Sequence, residues 1–548
     1  MSVVQDGQLR PLVLDGVVAH PEEFAARYRR DGHWVDLTFP EILFASVERV
    51  PDAVAVIAGD DRLTYAELGD RVLRAAAGFR ARGIGRGDRV VVQLPNVAAH
   101  IPVVFGLFEL GAIPVLALPA HERNEIAHFV DLAGARAYVT VASYDGSDLA
   151  GLAAGIAASS ATVEHTVVLG RDGGGPELDA LLAHAPLRHE RRSLPSDVAF
   201  LQLSGGTTGT SKLIPHTHEG YLGSMLHAAR VGGVTADTVQ LVVLPMPHSF
   251  AMRSPGYLGA LHAGATVVLA TDGSPDTVFP LIERHRVTET ALVPPLALAW
   301  LNSSLRPDHD LSSLRTVRVG GAKFGVEAAR RIGRELGATL QQSYGMAEGL
   351  HTFTDLDADE ETITTRQGRP TSDADEILIV DDEGRPVRPG SPGHLLTRGP
   401  ATVRGYYRAP EHDRTVFTDG GFYRVGDLVQ QDDRGYLTVV GRAKDQINRG
   451  GTKIAPEEVE NHLLAHPAVH DASVVGVPDD VLGERTKAYL VPREGADTGA
   501  LTLAGARAFL RERGLAAYKL PDLVEVVPAF PSTVAGKVSK RAQRVEKD

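Results

Sequence analysis

The chain of 548 residues contains no cysteine. Disulfide bonds, thiolate metal sites and a cysteine nucleophile are therefore excluded, and the composition is compatible with a reducing cytoplasm. The chain also lacks a surplus of positive charge, because its formal net charge is −13. Nucleic-acid binding needs a basic face, so this charge argues against it, although a local site for one nucleotide stays compatible with it.

Signals for secretion and for membrane insertion are also lacking. The N-terminal segment has no basic stretch followed by an apolar run, so we expect no secretory signal. The most apolar segment, residues 101–119, is long enough for a membrane span, but Glu109, Gly111 and internal prolines interrupt it. We interpret this segment as a buried helix, a turn and a strand.

Hydrophobic spacing predicts alternating helices and strands up to about residue 375. A helix is indicated after Thr64, because Thr64 and Glu67 form a capping box and apolar residues follow at spacings of three and four. Short apolar runs rich in valine, such as DRVVVQL and ATVVLA, are typical of buried strands. The alternation predicts an α/β fold with largely parallel sheets, and the chain length predicts more than one domain.

The pattern changes in the last third of the chain. After about residue 375, short strands joined by Gly, Pro and Asp turns predict a small β-rich subdomain. Beyond residues 442–446, helices and strands alternate again, which is typical of a small α+β domain. We therefore predict an N-terminal core over residues 1–443 and a C-terminal domain over residues 444–548.

A glycine- and threonine-rich loop, SGGTTGTSK at residues 204–212, follows an apolar strand. Glycines let successive backbone N–H groups point at one anion, threonines add hydroxyl donors, and Lys212 adds charge. Thr210 and Ser211 separate Gly209 from Lys212, so the spacing differs from that of the P-loop nucleotidases. From composition alone, a flexible surface turn stays open as the alternative.

Four further motifs follow this loop along the chain: QQSYGMAEG (341–349), YRVGD (423–427), GRAKDQINRGG (441–451) and PSTVAGKVSK (531–540). In these five motifs and their order, the chain resembles the adenylate-forming enzymes, the superfamily of acyl-CoA synthetases, luciferases and nonribosomal adenylation domains. The resemblance runs from about residue 22 to residue 545. The strings LQLSGGTTGTSKLIPHTH and VTETALVPPLA are most similar to the stand-alone aryl-acid AMP ligases of siderophore pathways.

This resemblance implies a large layered domain with a small mobile C-terminal domain, and a reaction in two steps. A carboxylate attacks the α-phosphorus of ATP to give an acyl adenylate and pyrophosphate, and a thiol then displaces AMP. The first step needs positive charge and a held line of attack but no protein nucleophile, which agrees with the absence of cysteine. The implied cofactors are ATP and Mg²⁺.

The resemblance also implies a thiol acceptor, either coenzyme A or the phosphopantetheine thiol of an aryl carrier protein. We expect a carrier to be a separate protein, because the sequence ends eleven residues after Lys537.

By the same resemblance, the motifs supply the nucleotide site. Glu348 would bind Mg²⁺, and Asp427 would accept hydrogen bonds from the ribose hydroxyls, with Arg442 beside it. Lys537 would reach the carboxylate and the α-phosphate, and Lys444 would be the hinge about which the small domain turns. Thr208 and Lys212 are counted with Glu348 and Lys537 as catalytic. The phosphates and the adenine would be held by Ser204, Gly205, Gly206, Thr207, Thr208, Gly209, Lys212, Gly321, Ala322 and Tyr344.

Plainer interpretations of these residues stay open. Glu348 alone would be read as a solvated surface charge, and Lys537 as part of a basic tail with Lys540 and Arg541. Gly321 and Ala322 can serve packing alone.

The segment PMPHSFAMRSPGYLG (245–259) resembles the aryl-acid pocket of those ligases. His248 and Phe250 take the aromatic gate positions, and Ser254 matches a residue that is serine in dihydroxybenzoate enzymes and cysteine in salicylate enzymes. Three residues depart from the usual pattern. Ser249 replaces asparagine, Arg253 replaces a small residue, and His351 stands where asparagine is common. The further implied substrate residues are Gly320 and Gly345.

These departures affect the predicted substrate. Ser249 gives more room at the ortho position, and its hydroxyl can accept as well as donate a hydrogen bond. We therefore place 3-hydroxyanthranilate beside salicylate and 2,3-dihydroxybenzoate, followed by pyridine or quinoline acids. For Arg253, a place in the pocket and a solvent-facing position both stay open.

Two other functions are compatible with parts of the sequence. A general acyl-CoA synthetase shares the ATP-binding motifs, but the pocket segment favours an aryl acid. A non-catalytic nucleotide-binding scaffold is a remote alternative, since such a protein would be expected to lose charged residues that this chain keeps. His216 and His218 resemble a metal pair but have no partner at ligand spacing, so we predict structural roles for them.

Overall fold

The computed structural model describes residues 9–204, 211–449, 452–479, 481–531 and 538–544, apart from the side chains of Lys453 and Arg541. Helices and strands alternate along most of this part of the chain. The helices are Glu22–Arg30, Phe39–Arg49, Tyr65–Ala81, His100–Glu109, Arg123–Ala133, Leu149–Ser159, Pro176–Leu182, His218–Val231, Ser249–Arg253, Gly256–Ala263, Pro275–His285, Pro294–Asn302, Val326–Leu336, Glu360–Thr365, Pro410–Val416, Pro456–Leu463, Leu503–Glu512 and Lys540–Arg544.

Two large sheets form the N-terminal part. In the nine-stranded sheet the spatial order is Arg369–Pro370, His351–Phe353, Thr339–Gly345, Thr316–Val319, Glu289–Leu292, Val239–Val242, Thr266–Leu269, Val54–Ala58 and Asp61–Thr64. In the six-stranded sheet it is Leu213–Thr217, Val198–Leu203, Ile113–Leu116, Arg89–Gln93, Ala137–Val141 and His165–Leu169. Central neighbours pair in parallel, and antiparallel strands lie at the edges. The predicted α/β fold with largely parallel sheets is confirmed.

Local sequence signals account for individual helices and strands of this part. The helix Tyr65–Ala81 begins at the predicted capping box, where the N–H of Glu67 donates to the hydroxyl oxygen of Thr64 at 3.2 Å. The apolar segment 101–119 forms the buried helix His100–Glu109 and the strand Ile113–Leu116, as predicted. Within the part of the chain that is described, no helix is both long and apolar enough to cross a membrane.

The predicted β-rich subdomain is a four-stranded antiparallel sheet. Its strands, in spatial order, are Glu376–Val380, Gly393–Arg398, Tyr423–Gln431 and Leu437–Arg442. The buried side chains of Leu395, Val429 and Leu437 pack with Leu350, which lies in the turn before the strand His351–Phe353. This contact places the subdomain against the carboxyl edge of the nine-stranded sheet.

The C-terminal segment forms a further sheet with its own hydrophobic cluster. Its strands are, in spatial order, Thr452–Ile454, Ile447–Arg449, Gly483–Pro492 and Val469–Asp479, and Leu523–Val526 also pairs with Gly483–Pro492. A small two-stranded sheet elsewhere, in the N-terminal part, joins Ser143–Tyr144 to Ser147–Asp148. Side chains between Ile447 and Leu520 make a core distinct from the one that spans the large sheets. The division at residues 443 and 444 stays a prediction.

Candidate active site

The carboxyl ends of two neighbouring parallel strands, Thr316–Val319 and Thr339–Gly345, form one wall of the candidate site. Ligands of open α/β sheets bind at this edge. The backbone approach is close at Gly320, where a Cβ would lie 2.7 Å from the carbonyl oxygen of Ser343 and 3.0 Å from Cζ of Phe250. Gly320 therefore leaves no room for a side chain, and its backbone packs against the Phe250 ring.

The other predicted small residues lie at the same edge. Gly321 has a φ of +82°, a conformation that residues with a Cβ rarely adopt. Ala322 follows it and is exposed. At Gly345 a Cβ would lie 2.6 Å from the carbonyl oxygen of Leu350. Backbone and small residues thus form this edge of the sheet, which is called the glycine shelf below.

A buried carboxylate stands beside this shelf. The Tyr344 hydroxyl donates to Oδ2 of Asp427 at 2.7 Å, and Nε of Arg442 lies 3.2 Å from Oδ1. Asp427 and Arg442 are register partners on adjacent strands. Burial, and then the Asp427 charge, raise the pKa of Tyr344 well above its usual value, so its hydroxyl stays a donor. A carboxylate has about four lone-pair sites, so Asp427 retains acceptor capacity for two hydroxyl groups of a ligand.

A second buried carboxylate, that of Glu348, lies four residues after Tyr344 in the chain. The Tyr406 hydroxyl donates to its Oε1 at 2.6 Å, and the Tyr423 hydroxyl lies 3.1 Å from that of Tyr406. The Val403 N–H donates to the Glu348 carbonyl at 2.8 Å. Glu348 is 7% exposed, so the interpretation of a solvated surface charge is wrong. The position of this carboxylate is fixed through both its backbone and its side chain.

Sequence reasoning missed the tyrosines that hold Glu348. Tyr406 and Tyr423 lie outside the short motif that contains Glu348, and the contact between Tyr406 and Glu348 spans 58 residues of sequence. The string RGYYR gave no periodic or spacing signal for this role.

The short helix Ser249–Arg253 carries the predicted aryl-acid segment. His248 caps it, because the Phe250 N–H donates to the His248 Nδ1 at 3.2 Å. Phe250 is buried with its ring edge toward Gly320, whereas Ser249 is partly exposed. Phe250, one of the two predicted gate residues, therefore lies against the glycine shelf.

A histidine and two serines form a polar wall next to this segment. Nε2 of His351 lies 2.9 Å from the Ser254 hydroxyl and 3.2 Å from that of Ser343, while its Nδ1 is buried without a partner among the described residues. Burial, and then the charge of Arg253, hold the pKa of His351 well below its usual value. The ring is neutral at pH 7, so it can both donate and accept.

Arg253 is not a solvent-facing residue. It is 2% exposed, so that alternative is wrong. Its guanidinium donates to the Ser224 hydroxyl at 3.1 Å and to the carbonyl oxygens of Met346 and Gly349 at 2.9 and 2.7 Å. It also lies over the Tyr221 ring, 5.2 Å from the centroid. The helix of the aryl-acid segment is thereby tied to the turn that contains Glu348.

Only the two ends of the glycine-rich loop are described. The Ser204 N–H donates to the Lys212 carbonyl at 2.9 Å, and the Lys212 N–H donates to the Ser204 hydroxyl at 3.0 Å. These bonds close the loop between two antiparallel strands. The predictions for the loop interior lie outside the described residues: Gly205, Gly206, Thr207, Thr208 and Gly209.

The C-terminal candidates are described in part. Lys537 lies outside the described residues. Lys444 is exposed in a short 3-10 turn, and its carbonyl accepts from Arg544 at 3.4 Å. Lys540 pairs with Glu460 at 2.7 Å, so this lysine is anchored and is not part of a free basic tail. The roles of Lys444 and Lys537 stay predictions.

The two histidines that resemble a metal pair have structural roles, as predicted. The N–H of Phe39 donates to Nδ1 of His218 at 3.2 Å, and Nε2 of His218 lies 3.3 Å from the Ser193 hydroxyl. His216 is buried against aromatic rings, including that of Tyr221. Among the described residues, no group of three or more histidine, cysteine, aspartate or glutamate side chains is arranged to hold a metal ion.

Known proteins resemble this chain over nearly its whole length. The model of the AMP-binding enzyme family matches residues 43–407, and that of the AMP-binding enzyme C-terminal domain matches residues 458–537. A 2,3-dihydroxybenzoate-AMP ligase of Bacillus subtilis (strain 168) is 50% identical over 536 residues, which cover 97% of this chain and 98% of that protein.

Two further relatives also match this chain over nearly its whole length. The salicyl-AMP ligase / salicyl-S-ArCP synthetase of Mycobacterium tuberculosis is 43% identical, covering 96% of this chain and 94% of that protein. The apo structure of MbtA from Mycobacterium smegmatis is 40% identical with a TM-score of 0.74, covering 96% of this chain and 98% of that one.

The fold and the family matches define an adenylate-forming enzyme. The chain belongs to the AMP-binding enzyme family, whose members use ATP. The predicted resemblance to the aryl-acid AMP ligases is confirmed.

The buried neutral ring of His351 gives a prediction for the pH dependence of stability. In the unfolded chain the ring gains a proton below its usual pKa of about 6.5, whereas in the folded protein it stays neutral, so folding loses stability as pH falls. Between about pH 7 and about pH 5, the free energy of unfolding of the wild type should therefore fall more steeply than that of His351→Asn, by up to about 1.4 kcal/mol per pH unit. The thermal midpoint of the wild type should fall more steeply for the same reason.

Thermal denaturation of both proteins across this range tests the prediction. The difference between the midpoints should be constant above about pH 7.5, where the ring is neutral in both states, which supplies an internal control. A difference that does not change on acidification would contradict the assignment of a neutral His351.

Proposed function

We propose that the protein activates an aryl carboxylic acid with ATP and passes the aryl group to a thiol in natural-product biosynthesis. It is an aryl-acid AMP ligase of the kind found in siderophore pathways. In the first step a carboxylate oxygen bonds to the α-phosphorus and pyrophosphate leaves. In the second step a thiol attacks the acyl carbon and AMP leaves with the electron pair of the broken bond.

One observation carries this proposal. The strand and turn from Thr339 to Gly349 present Tyr344 toward Asp427 and, four residues later, Glu348 toward Tyr406. A nucleotide needs a hydrogen-bond acceptor for its ribose hydroxyls and a cation that balances the negative charge of its phosphates. A single chain segment supplies contacts at both places, so its position would fix the distance between ribose and phosphates.

The residues divide the binding of ATP as follows in this proposal. Asp427 accepts from the ribose hydroxyls through the lone pairs that Tyr344 and Arg442 leave free. Gly321 and Ala322 leave space for the adenine, with Tyr344 at its border. The loop residues Gly205, Gly206, Thr207, Thr208 and Gly209, closed by Ser204 and Lys212, would hold the β- and γ-phosphates through backbone N–H groups.

The donor chemistry at Glu348 fits Mg²⁺. Magnesium is commonly held by one or two carboxylates together with substrate phosphates and water, and Glu348 is a buried oxygen ligand next to the proposed phosphate site. When bound, the ion supplies charge neutralisation at the phosphates. The chain itself holds the Glu348 carboxylate in place through Tyr406 and keeps bulk water from it.

The acid would lie beside Phe250 and Gly320, with Ser249, Ser254 and His351 facing its ring substituents, and with His248 and Gly345 at the borders of the pocket. Hydroxyl groups and a neutral imidazole both donate and accept, which suits an ortho hydroxyl or an ortho amino group. We therefore keep 3-hydroxyanthranilate beside salicylate and 2,3-dihydroxybenzoate as candidates.

The second step and the setting of the enzyme are also proposed. The acceptor is coenzyme A or the phosphopantetheine thiol of a separate aryl carrier protein, and the reaction takes place in the cytoplasm. The small domain turns about Lys444 between the steps, so that Lys537 is present for adenylation and absent for transfer. A lysine suits this because its charge is compact and its side chain flexible.

A screen of carboxylic acids by pyrophosphate release tests the substrate class. We expect turnover with the three hydroxylated or amino benzoates above and little with an aliphatic acid. Ser249→Asn should shift selectivity toward salicylate and 2,3-dihydroxybenzoate by at least about tenfold, because the longer amide occupies the ortho space.

The exposed Ser159→Asn supplies the matched control and should leave selectivity unchanged. Preference of the wild type for an aliphatic acid would overturn the aryl-acid assignment. Clear preference for 2,3-dihydroxybenzoate, unaltered by Ser249→Asn, would overturn the role of Ser249 alone.

Replacement of Lys537 by alanine tests the division between the two steps. ATP–pyrophosphate exchange should fall by at least about 10²-fold, because a charge on the developing transition state is lost. Transfer from chemically prepared aryl-AMP to pantetheine should be unchanged. Lys519→Ala, which removes a lysine paired with Glu458 on the same domain, is the control. Loss of both activities in Lys537→Ala would contradict this division.

A further inference from the structure

Arg253 is buried between three parts of the candidate site, and the nucleotide contacts proposed above do not use it. Its backbone ends the helix Ser249–Arg253, and its guanidinium contacts Ser224 and Tyr221 on the helix His218–Val231. Its Nη2 atom donates to two backbone carbonyls, those of Met346 and Gly349. A charged group is costly to bury unless its donors are satisfied, so this arrangement fixes the guanidinium in one place.

The two carbonyls belong to the ends of one turn. The Gly349 N–H donates to the Met346 carbonyl at 3.2 Å, and the Met346 N–H donates to the Leu350 carbonyl at 3.1 Å. Glu348 lies inside this turn. Nη2 of Arg253 thus binds the backbone on both sides of Glu348, while Tyr406 holds the carboxylate itself.

The turn packs closely against Thr402, so its present shape depends on the bonds that hold it there. At Gly349 a Cβ would lie 2.5 Å from Oγ1 and 2.6 Å from Cα of Thr402, so the backbone is already in close contact there. Without the guanidinium, the Gly349 carbonyl would lose its donor in a buried setting where an unpaired acceptor is unfavourable, and the Met346 carbonyl would keep only the Gly349 N–H. The backbone would relax toward other donors, and Glu348 would move with it.

We propose that Arg253 is a positioning residue that holds Glu348 in place for the magnesium-bound phosphates and couples the aryl-acid helix to the nucleotide site. This inference rests on the proposed role of Glu348. It predicts a particular pattern, since Arg253 acts through Glu348 and not on the ribose or the adenine. Binding of AMP, which needs no metal, should be separable from binding of MgATP.

Equilibrium titrations of the full-length protein with AMP and with MgATP test this pattern. Arg253→Met removes the donors at similar volume and should weaken MgATP binding by at least about tenfold while changing AMP binding by less than about threefold. Arg253→Lys keeps a charge and part of the donor capacity, so its MgATP affinity should lie between those of the wild type and Arg253→Met.

The matched control is Arg89→Met. Arg89, like Arg253, donates to backbone carbonyls, but it lies in the six-stranded sheet. Its three acceptors are the carbonyls of Ala133, Gly87 and Gly134. This variant should bind both nucleotides like the wild type. Thermal midpoints of Arg89→Met and Arg253→Met then show whether lost affinity follows from general destabilisation.

A double-mutant comparison with Glu348→Gln separates the inference from the function on which it rests. If Arg253 acts through Glu348, the pair Arg253→Met and Glu348→Gln should bind MgATP no more weakly than Glu348→Gln alone. Additive losses, parallel losses of AMP and MgATP affinity, or unaltered MgATP affinity in Arg253→Met would each overturn the inference. Unaltered MgATP affinity in Glu348→Gln would instead overturn the proposed role of Glu348.

Discussion

The site depends on one hydrogen bond between two sheets, that from the Tyr344 hydroxyl to the Asp427 carboxylate. Tyr344 belongs to a strand of the nine-stranded sheet, and Asp427 to the central part of the four-stranded antiparallel sheet. Because Asp427 is almost fully buried, its charge needs this donor and Arg442 to be tolerated. The bond therefore sets the distance between the two sheets where the nucleotide is proposed to lie.

The other parts of the site follow from this junction. Glu348 comes four residues after Tyr344, so a turn anchored at Tyr344 also determines the place of the proposed magnesium ligand. Arg253 binds the same turn from the side of the aryl-acid helix. The proposed contacts to the acid, the ribose and the phosphates thus all depend on one short backbone segment, and an enzyme that aligns a carboxylate with an α-phosphorus benefits from such shared support.

The sequence predicted the fold well because its signals are local. The capping box at Thr64 and the interrupted apolar segment 101–119 each depend on neighbours within a few residues, and both form as expected. Motifs also indicated Glu348 and Asp427. The contacts of Arg253 were not predictable, since its burial depends on carbonyls 93 and 96 residues away. The same is true of the tyrosines around Glu348, which spacing along the chain does not reveal.

Tracing an oxygen label from the acid tests the central claim most directly. The enzyme is incubated with ATP, a thiol and an aryl acid whose carboxylate carries oxygen-18, and the products are examined by mass spectrometry. Attack of the carboxylate on the α-phosphorus, followed by thiol attack on the acyl carbon, leaves one labelled oxygen in AMP and none in pyrophosphate. Label in inorganic phosphate together with formation of ADP would mean attack on the γ-phosphorus and would contradict the account.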